Sequence, residues 1–287
     1  PPGVLNVCPG PGATAGAALA SHPDVDKIAF TGETATGKEI MRLAAGNVKN
    51  LSLELGGKSP NIVFEDADLD LAITRTMRAI FFAQGHNCTA GSRLLLQETI
   101  HDRFLTELVR RAQALRIGDP LKEETQMGAI NSREQLEKIE RYVQIGIEEG
   151  ARLLYGGRRP EGPEFSRGYF YLPTIFTEVD PKMRIAQEEI FGPVLAVIRF
   201  RDTEEAIRIA NDTIYGLAAA VWTRDINRAI YVVKRLKAGY VWVNTYGGIY
   251  NEAPFGGYKQ SGIGRELGPH GIELYTQVKN VSLYLGG

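Results

Sequence analysis

One cysteine, Cys88, is placed where a nucleophile could be presented to a bound molecule. Gly85 and Gly91 bracket it, and a turn rich in glycine lets backbone amides come close to a ligand. A cysteine on such a turn could attack a carbonyl carbon, with its own backbone N–H stabilising the resulting oxyanion. The alternative interpretation is a small buried apolar side chain, the commonest role of a lone cysteine.

Two further segments carry carboxylates that could assist a nucleophile. Glu54 ends the predicted strand 51–54 and precedes Gly56 and Gly57, which leave it room to reach a neighbouring site through water, as a general base must. A solvated strand end is the alternative. Glu189 and Phe191 come just before the kink that Gly192 and Pro193 predict.

The composition excludes several classes of function. The chain has 287 residues, 44% of them hydrophobic, and a formal net charge of −1, which favours an ordinary globular protein and argues against nucleic acid or anionic membrane as partners. No apolar run reaches the roughly 18–20 residues of a membrane span. Two cysteines make no disulfide framework, Cys8 is expected to be inert core, and the four histidines lack metal-ligand spacing. We predict a cytoplasmic protein without a metal.

Strands alternate with helices along the chain, which predicts an α/β fold with a largely parallel sheet. The predicted strands cover residues 4–8, 26–31, 51–54, 61–64, 94–96, 152–155, 169–176, 194–200, 217–222 and 240–244. The predicted helices cover residues 66–82, 101–115, 133–149, 203–211 and 225–236, the first with Asp66 or Asp68 near its N-cap.

The segment 32–38 is one residue short of a phosphate-loop motif, because Glu39 stands where a Ser or Thr would bind magnesium. An ATPase is therefore not expected. A strand, a glycine turn and a helix start still offer free N–H groups and a helix dipole to an anion. A plain βα turn is the alternative.

Four motifs in order resemble those of the aldehyde dehydrogenase superfamily: Glu-Leu-Gly-Gly-Lys-Ser at 54–59, Gly-x-x-Cys-x-Ala-Gly-Ser-Arg at 85–93, Glu-Ile-Phe-Gly-Pro at 189–193, and a glycine-rich signature at 254–265. The resemblance runs from residue 1 to nearly the end and lacks the family's N-terminal part. It implies a remnant of a Rossmann-type cofactor domain (1–56), an α/β catalytic domain (57–264) and a C-terminal segment (265–287) with an oligomerisation strand near 277–285.

The resemblance also implies the reaction, which is oxidation of a small-molecule aldehyde to a carboxylic acid with NAD, NADP not being excluded. The Cys88 thiolate would attack the aldehyde, hydride would leave to the nicotinamide, and Glu54 would activate water to hydrolyse the thioester. A homo-oligomer, dimer or tetramer, is expected. The residues implied to contact the cofactor are Gly32, Gly37, Leu55, Gln135, Lys138, Glu189 and Phe191; those implied to contact the substrate are Asn87, Thr89, Ile249 and Phe255.

Some features keep other functions open. Glu33 stands where the family commonly has a small hydroxyl residue, and its charge would repel a pyrophosphate. No fixed cation near Cys88 is evident that would lower the pKa of its thiol. A chain without dehydrogenase turnover could act as a thiol-dependent esterase or have a structural, assembly role. A Cys-His hydrolase with His86 as base is the remaining rival, with the histidine only two residues from the cysteine.

Overall fold

The computed structural model describes residues 1–286, and its strands form two sheets, one of seven strands and one of three. The strands are β1 (Lys27–Thr31), β2 (Asn50–Glu54), β3 (Pro60–Val63), β4 (Arg93–Gln97), β5 (Arg152–Tyr155), β6 (Thr174–Thr177), β7 (Val194–Phe200), β8 (Ala218–Trp222), β9 (Tyr240–Val243) and β10 (Gly262–Ile263). The α-helices are α1 (Ala17–Ser21), α2 (Thr34–Ala44), α3 (Leu69–Phe81), α4 (His101–Gln113), α5 (Arg133–Glu148), α6 (Arg184–Gln187), α7 (Thr203–Asn211), α8 (Ile226–Val233) and α9 (Gly268–Glu273).

The large sheet has the order β5-β6-β7-β4-β3-β8-β9, and every pairing except the antiparallel β5–β6 edge is parallel. Its central strands are apolar on both faces, as is typical of a parallel sheet covered by helices on both sides. Leu95 belongs to one hydrophobic core, and Leu94 and Leu96 belong to the other. Strand β4, which follows the cysteine turn, is thereby fixed from both faces.

The small sheet has the order β1-β2-β10. Strands β1 and β2 are parallel and joined through α2, and β10 pairs with β2 in the antiparallel sense at Gly262–Glu54. The boundaries predicted at residues 56 and 264 stay predictions; β10, from the range assigned to the catalytic domain, completes the small sheet.

Most predicted elements are present, and Asp68 caps α3 by accepting the Leu71 N–H at 3.1 Å. The predicted strand 169–176 is shorter than expected and begins only at Thr174. Its N-terminal half bonds to loops instead, since Leu172 N–H donates to the Arg158 carbonyl at 3.0 Å. Pro173, which lacks an N–H, separates the two halves.

One prediction at the start of the chain is wrong. Residues 4–8 form no strand, Val4 and Val7 are 75% and 81% exposed, and Cys8 is exposed rather than core. Residues 277–285 form no strand within the single chain and Val278 is fully exposed, so the oligomerisation strand there stays a prediction. An apolar run becomes a strand only where a neighbouring strand pairs with it and a core covers one face; the described chain supplies neither at these two places. Among residues 1–286, no helix combines the length and apolarity needed to cross a bilayer.

Candidate active site

Cys88 lies on an irregular turn between α3 and β4. Ala83 and Gln84 adopt the left-handed conformation, with φ of 49° and 58°, and Gly85 follows with φ of 74°. A side chain at Gly85 would also collide with the Gly192 carbonyl. The turn therefore depends on glycine at this position for both its backbone conformation and its close packing.

The Cys88 side chain is half-buried, and its thiol donates to Asn87 Oδ1 at 3.8 Å. Burial raises the pKa of this thiol, and the carboxyl groups of Glu189 and Glu54 raise it further. The backbone N–H groups of Thr89 and Cys88 act in the opposite direction. The Thr89 N–H donates to Asn87 Oδ1 at 3.0 Å, so the Cys88 N–H is the amide left to stabilise negative charge on an oxygen attached near the sulfur.

Glu54 ends β2 and is 5% exposed. Both of its carboxylate oxygens are buried without a hydrogen-bond partner. Burial raises the pKa of Glu54 to about 8, the charge of Glu266 adds to this, and Arg265 opposes it. A carboxyl group with this pKa can exchange a proton near neutral pH, which is the property that a general base requires.

One open cleft of about 670 Å³ brings the predicted catalytic and cofactor residues together. Its lining includes nine of the predicted site residues: Gly32, Glu54, Leu55, Asn87, Cys88, Gln135, Lys138, Glu189 and Phe191. Gly37 lies outside this lining, inside α2, where a Cβ would stand 2.6 Å from Leu55 Cδ2. It permits close packing of the helix behind the cleft.

Glu189 is held over the glycine pair that follows Glu54. Its Oε1 accepts the Gly57 N–H at 3.0 Å, and its carboxylate occupies the space that a side chain at Gly56 would need. Burial raises the pKa of Glu189, with the Gly57 N–H acting against that rise. The two glycines therefore let the second carboxylate approach the cleft wall.

Gln135 holds the segment that carries Phe191. Its Nε2 donates to the carbonyls of Ile190 and Phe191, each at 2.8 Å. Phe191 itself has φ of 59°, so its backbone is held in an unfavourable conformation. In this structure Gln135 thus positions the aromatic wall of the cleft, and Lys138 lies on the same helix α5 beside it.

The first turn of α2 follows Thr31, Gly32 and Glu33, which line the cleft. Gly32 N–H donates to the Glu54 carbonyl at 3.0 Å and Gly37 N–H to the Glu33 carbonyl at 3.0 Å, so these two amides are already used. The amides of residues 34–36 precede the helical ladder and are free for an anion. Thr34 adds a buried hydroxyl without a partner. A polar group of this kind fits a phosphate-bearing cofactor.

The predicted substrate residues lie in two places. Asn87 Oδ1 accepts from the Thr89 N–H and hydroxyl at 3.0 and 2.9 Å, which fixes both residues to the cysteine turn. Ile249 is 45% exposed and Phe255 is 9% exposed, on the segment after β9. Phe255 and Glu266 exchange backbone hydrogen bonds of 2.7 Å, so this segment is tied to the charge that faces Glu54.

His86 is not paired with the cysteine. Its ring stacks on Phe191 with centroids 5.6 Å apart and planes 6° apart, and its Nε2 has no hydrogen-bond partner. Burial lowers the pKa of His86. The contacts of the described residues therefore do not support the Cys-His hydrolase.

Sequence reasoning missed two buried cations beside the site. Arg93 is 1% exposed and donates to the carbonyls of Lys58, Ile209 and Ala210 at 2.8, 3.0 and 2.7 Å. Lys58 is 2% exposed, its Nζ has no partner, and burial lowers its pKa to about 7. Lys58 lies in the motif at 54–59 and Arg93 in the motif at 85–93. A charged residue is normally expected at the surface, so the sequence did not indicate that these two are buried.

The same reasoning gave no role to Glu266 or Gly256. Gly256 has φ of 156°, and a Cβ there would stand 2.8 Å from Glu54 Oε1. The glycine-rich signature at 254–265 was the available signal, but only the fold brings it against Glu54. Within residues 1–286, no group of three or more His, Cys, Asp or Glu is arranged to hold a metal ion.

A cysteine turn and a buried glutamate at a glycine pair thus line one cleft of an α/β scaffold. The chain belongs to the aldehyde dehydrogenase family, whose sequence model matches residues 1–281.

Individual relatives agree with this assignment. Betaine aldehyde dehydrogenase of Bacillus subtilis (strain 168) is 56% identical over 281 residues, which are 98% of this chain and 57% of the relative. Mitochondrial aldehyde dehydrogenase of Homo sapiens is 50% identical over 285 residues, 99% of this chain and 54% of the relative. A crystal structure of betaine aldehyde dehydrogenase from Staphylococcus aureus in complex with NAD+ has a TM-score of 0.91 at 47% identity, over 93% of this chain and 53% of that chain.

The α/β fold and the family resemblance are thereby confirmed. The chain spans about half the length of the relatives that it matches.

Proposed function

We propose that this chain carries the reacting groups of an NAD(P)-dependent aldehyde dehydrogenase, which oxidises an aldehyde to a carboxylic acid through a thioester on Cys88. The observation that carries the proposal is the single cleft in which Cys88, Glu54 and Glu189 meet. The NAD+ bound to the Staphylococcus aureus relative supports NAD as the cofactor.

The first step is attack of the Cys88 thiolate on the aldehyde carbon, with formation of a C–S bond. The thiol proton leaves to ionised Glu54, the base in the same cleft, directly or through water. The hemithioacetal oxygen becomes an anion, and the Cys88 N–H is the donor best placed to stabilise it.

NAD(P), when bound, would supply the hydride acceptor that oxidation of the Cys88 adduct to a thioester requires. Several cleft residues fit its parts. Glu189 presents a carboxylate to a ribose hydroxyl, Phe191 presents a ring face to the nicotinamide, and the first turn of α2 with the Thr34 hydroxyl presents donors to the pyrophosphate. Glu33, on the rim of the same turn, reduces affinity for that anion.

Glu54 must next release the thiol proton to solvent; ionised again, it deprotonates the water that hydrolyses the thioester, which frees the carboxylic acid and returns Cys88 to its thiolate. Because the pKa of Glu54 is raised to about 8, the base is mostly protonated at pH 7. Turnover limited by this step should therefore rise with pH and level off above about 8.

A second candidate is a thiol-dependent esterase that needs no cofactor. The observation that favours it is that Cys88 and Glu54 are both in place in a chain of about half the relatives' length. We also propose three segments: a cofactor-domain remnant at 1–56, a catalytic domain at 57–264 and a C-terminal segment at 265–287. We further propose that the chain forms a homo-oligomer.

Aldehyde oxidation is tested by NADH or NADPH formation with betaine aldehyde and propionaldehyde, and ester hydrolysis by release of p-nitrophenol from p-nitrophenyl acetate. Cys88→Ala should abolish both activities, and the matched variant Cys8→Ala should retain them because Cys8 is exposed and outside the cleft. Ester hydrolysis without NAD(P)H formation would favour the second candidate. Equal activity of Cys88→Ala and the unmodified chain would refute both.

A further inference from the structure

Ser261 is buried behind the cleft and bonds to the glycine pair that follows Glu54. It is 0% exposed, and its hydroxyl donates to the Gly56 carbonyl at 2.6 Å. The same oxygen accepts the Gly216 N–H at 2.9 Å. Because an amide N–H can only donate and a carbonyl can only accept, the hydroxyl proton must point at Gly56. The direction of this hydroxyl is therefore fixed.

The peptide that Ser261 binds is the one that holds Glu189. The Gly56 carbonyl and the Gly57 N–H belong to a single peptide group, and this N–H donates to Glu189 Oε1 at 3.0 Å. The two hydrogen bonds lie on opposite edges of that peptide, since its C=O and N–H point in opposite directions. Hydrogen bonds joined in this way polarise one another in a buried site. A chain of donors thus runs from Gly216 through the Ser261 hydroxyl and the peptide to the Glu189 carboxylate.

Close packing requires glycine at both positions of this peptide. A Cβ on Gly57 would stand 2.5 Å from the Cys88 carbonyl, and one on Gly56 would stand 2.1 Å from Glu189 Oε2. Glycine also has the greatest backbone freedom of any residue, so hydrogen bonds have to fix the direction of the peptide. The Ser261 hydroxyl fixes it from the carbonyl side.

We propose that Ser261 is a positioning residue, whose hydroxyl fixes the Gly56–Gly57 peptide and so holds the Glu189 carboxylate in the orientation that receives the cofactor. The inference rests on the proposed role of Glu189 as a ribose ligand. Its Oε1 is taken by the Gly57 N–H, so Oε2 is left to accept from a hydroxyl in the cleft. Ser261 lies outside the lining of the cleft, so it acts through the peptide and not by contact with a ligand.

The consequence for Glu189 is electrostatic. Burial raises its pKa, and the peptide N–H works against that rise. The titratable groups around it come from several elements: Lys58, Lys138, Glu33, Cys88 and Tyr215. The two lysines favour the ionised carboxylate and Glu33 opposes it. Loss of the Ser261 hydroxyl should weaken the peptide N–H as a donor, so the pKa of Glu189 should rise further.

Nuclear magnetic resonance without cofactor observes this peptide directly. The chain contains five Gly–Gly pairs, at 56–57, 156–157, 247–248, 256–257 and 286–287. A sample labelled with ¹³C and ¹⁵N in glycine alone therefore gives five signals in an experiment that connects each amide to the preceding carbonyl. The Gly57 signal is identified as the one that Glu189→Ala displaces. Its shift is followed between pH 4 and 8 to give the midpoint of the Glu189 titration.

Ser261→Ala should move the Gly57 amide proton upfield, as a longer hydrogen bond does, and move the titration midpoint to higher pH. Ser52→Ala is the matched control and should leave both readings unchanged. Ser52 is 1% exposed on β2, and its hydroxyl accepts from Lys27 Nζ at 3.0 Å instead of bonding this peptide. Ser261→Cys has a weaker donor of similar size, so it should give intermediate values; it replaces Ser261→Ala if circular dichroism shows the latter unfolded.

Two outcomes of this experiment would overturn the proposal. The first is an unchanged Gly57 signal and an unchanged midpoint in Ser261→Ala. The second is an equal change in Ser52→Ala, which would reflect a general disturbance of the small sheet.

Cofactor affinity gives an independent reading by isothermal calorimetry with NAD+. Ser261→Ala should weaken binding about 3–10-fold, the net contribution of one hydrogen bond. The same change in a Glu189→Ala background should cost less than about twofold, because the group that Ser261 positions is gone. Equal losses in both backgrounds would contradict a role through Glu189. A chain that binds no NAD+ would count against the proposed function, and the Gly57 signal would still decide the role of Ser261.

Discussion

The two walls of the cleft differ in how they are supported. The cysteine turn leads into β4, whose first four residues are all buried, and both faces of the large sheet carry a core. The turn before α2 leads from β1, which has no fully buried residue. The proposed nucleophile thus rests on the thoroughly packed sheet, whereas both Glu54, at the end of β2, and the turn before α2 belong to the small sheet.

The difference in packing matches two different requirements, because the proposed nucleophile must be held rigidly whereas a cofactor must be able to bind and dissociate. A nucleophile must keep its geometry within fractions of an ångström, which packing on both sides of a sheet enforces. A cofactor enters and leaves, and the wall that receives it can be less covered. Buried polar atoms without partners occur on both sides, at Thr34 and Glu54 beside the small sheet and at Lys58 before β3.

The largest effect is expected from breaking the rigid wall at Arg93. Arg93→Ala leaves three buried carbonyls without their donor and opens a cavity, so the free energy of unfolding should fall by about 3–5 kcal/mol. Urea denaturation followed by circular dichroism measures this loss. Arg201→Ala, which removes an exposed partner of Glu205, is the control and should leave the midpoint unchanged; equal effects at both positions would show that the buried contacts of Arg93 do not stabilise this wall.

A smaller loss of stability is expected at Gly85, where the cost of the backbone conformation can be separated from the cost of a steric clash. Gly85→Ala should cost about 2–4 kcal/mol, because φ is positive and the Gly192 carbonyl occupies the space of a Cβ. Gly150→Ala has φ of 95° with open space around it, so it should cost only the conformational part, about 1–2 kcal/mol. Thermal and urea unfolding of both variants checks this, and a Gly85→Ala protein as stable as Gly150→Ala would show that the turn is not tightly packed.

The smallest effect is expected from Glu54→Gln, and its sign depends on pH. Glu54 has its folded-state pKa raised from 4.5 to about 8, so between these values the unfolded chain loses the proton and the folded chain keeps it. Stability of the unmodified chain therefore falls, relative to the variant, as pH rises from about 4.5 to about 8, and stays level above. Glu54→Gln should melt about 3–6 °C higher at pH 9 and show a smaller advantage at pH 5.

Melting curves at pH 5, 6.5, 8 and 9 measure this trend. A constant difference in melting temperature across the series would show that Glu54 has an ordinary pKa in the folded state.

Sequence patterns predicted the helices and strands that depend on residues close together in the chain. The apolar periodicity and caps placed α3, α4 and α5 within a few residues, and the run Leu94 to Leu96 placed β4. The same patterns failed at residues 4–8, because pairing of a strand depends on a partner that the run itself does not contain. They also led to Cys8 being predicted as core, when its apolar neighbours are exposed.

By itself, the sequence determined the family and the order of the elements, and it predicted the reacting pair that we propose, since glycines and functional groups stand at fixed short spacings in Glu54–Ser59 and Gly85–Arg93. Only the tertiary structure decided the pKa values of Glu54 and Cys88 and the contacts that hold these residues in place. The pKa of Glu54 depends on burial and on Glu266, more than 200 positions later, and the Thr89 carbonyl after Cys88 accepts a hydrogen bond from Tyr246. Desolvation and long-range hydrogen bonds are properties of neighbours in space, and the chain's linear order does not contain them.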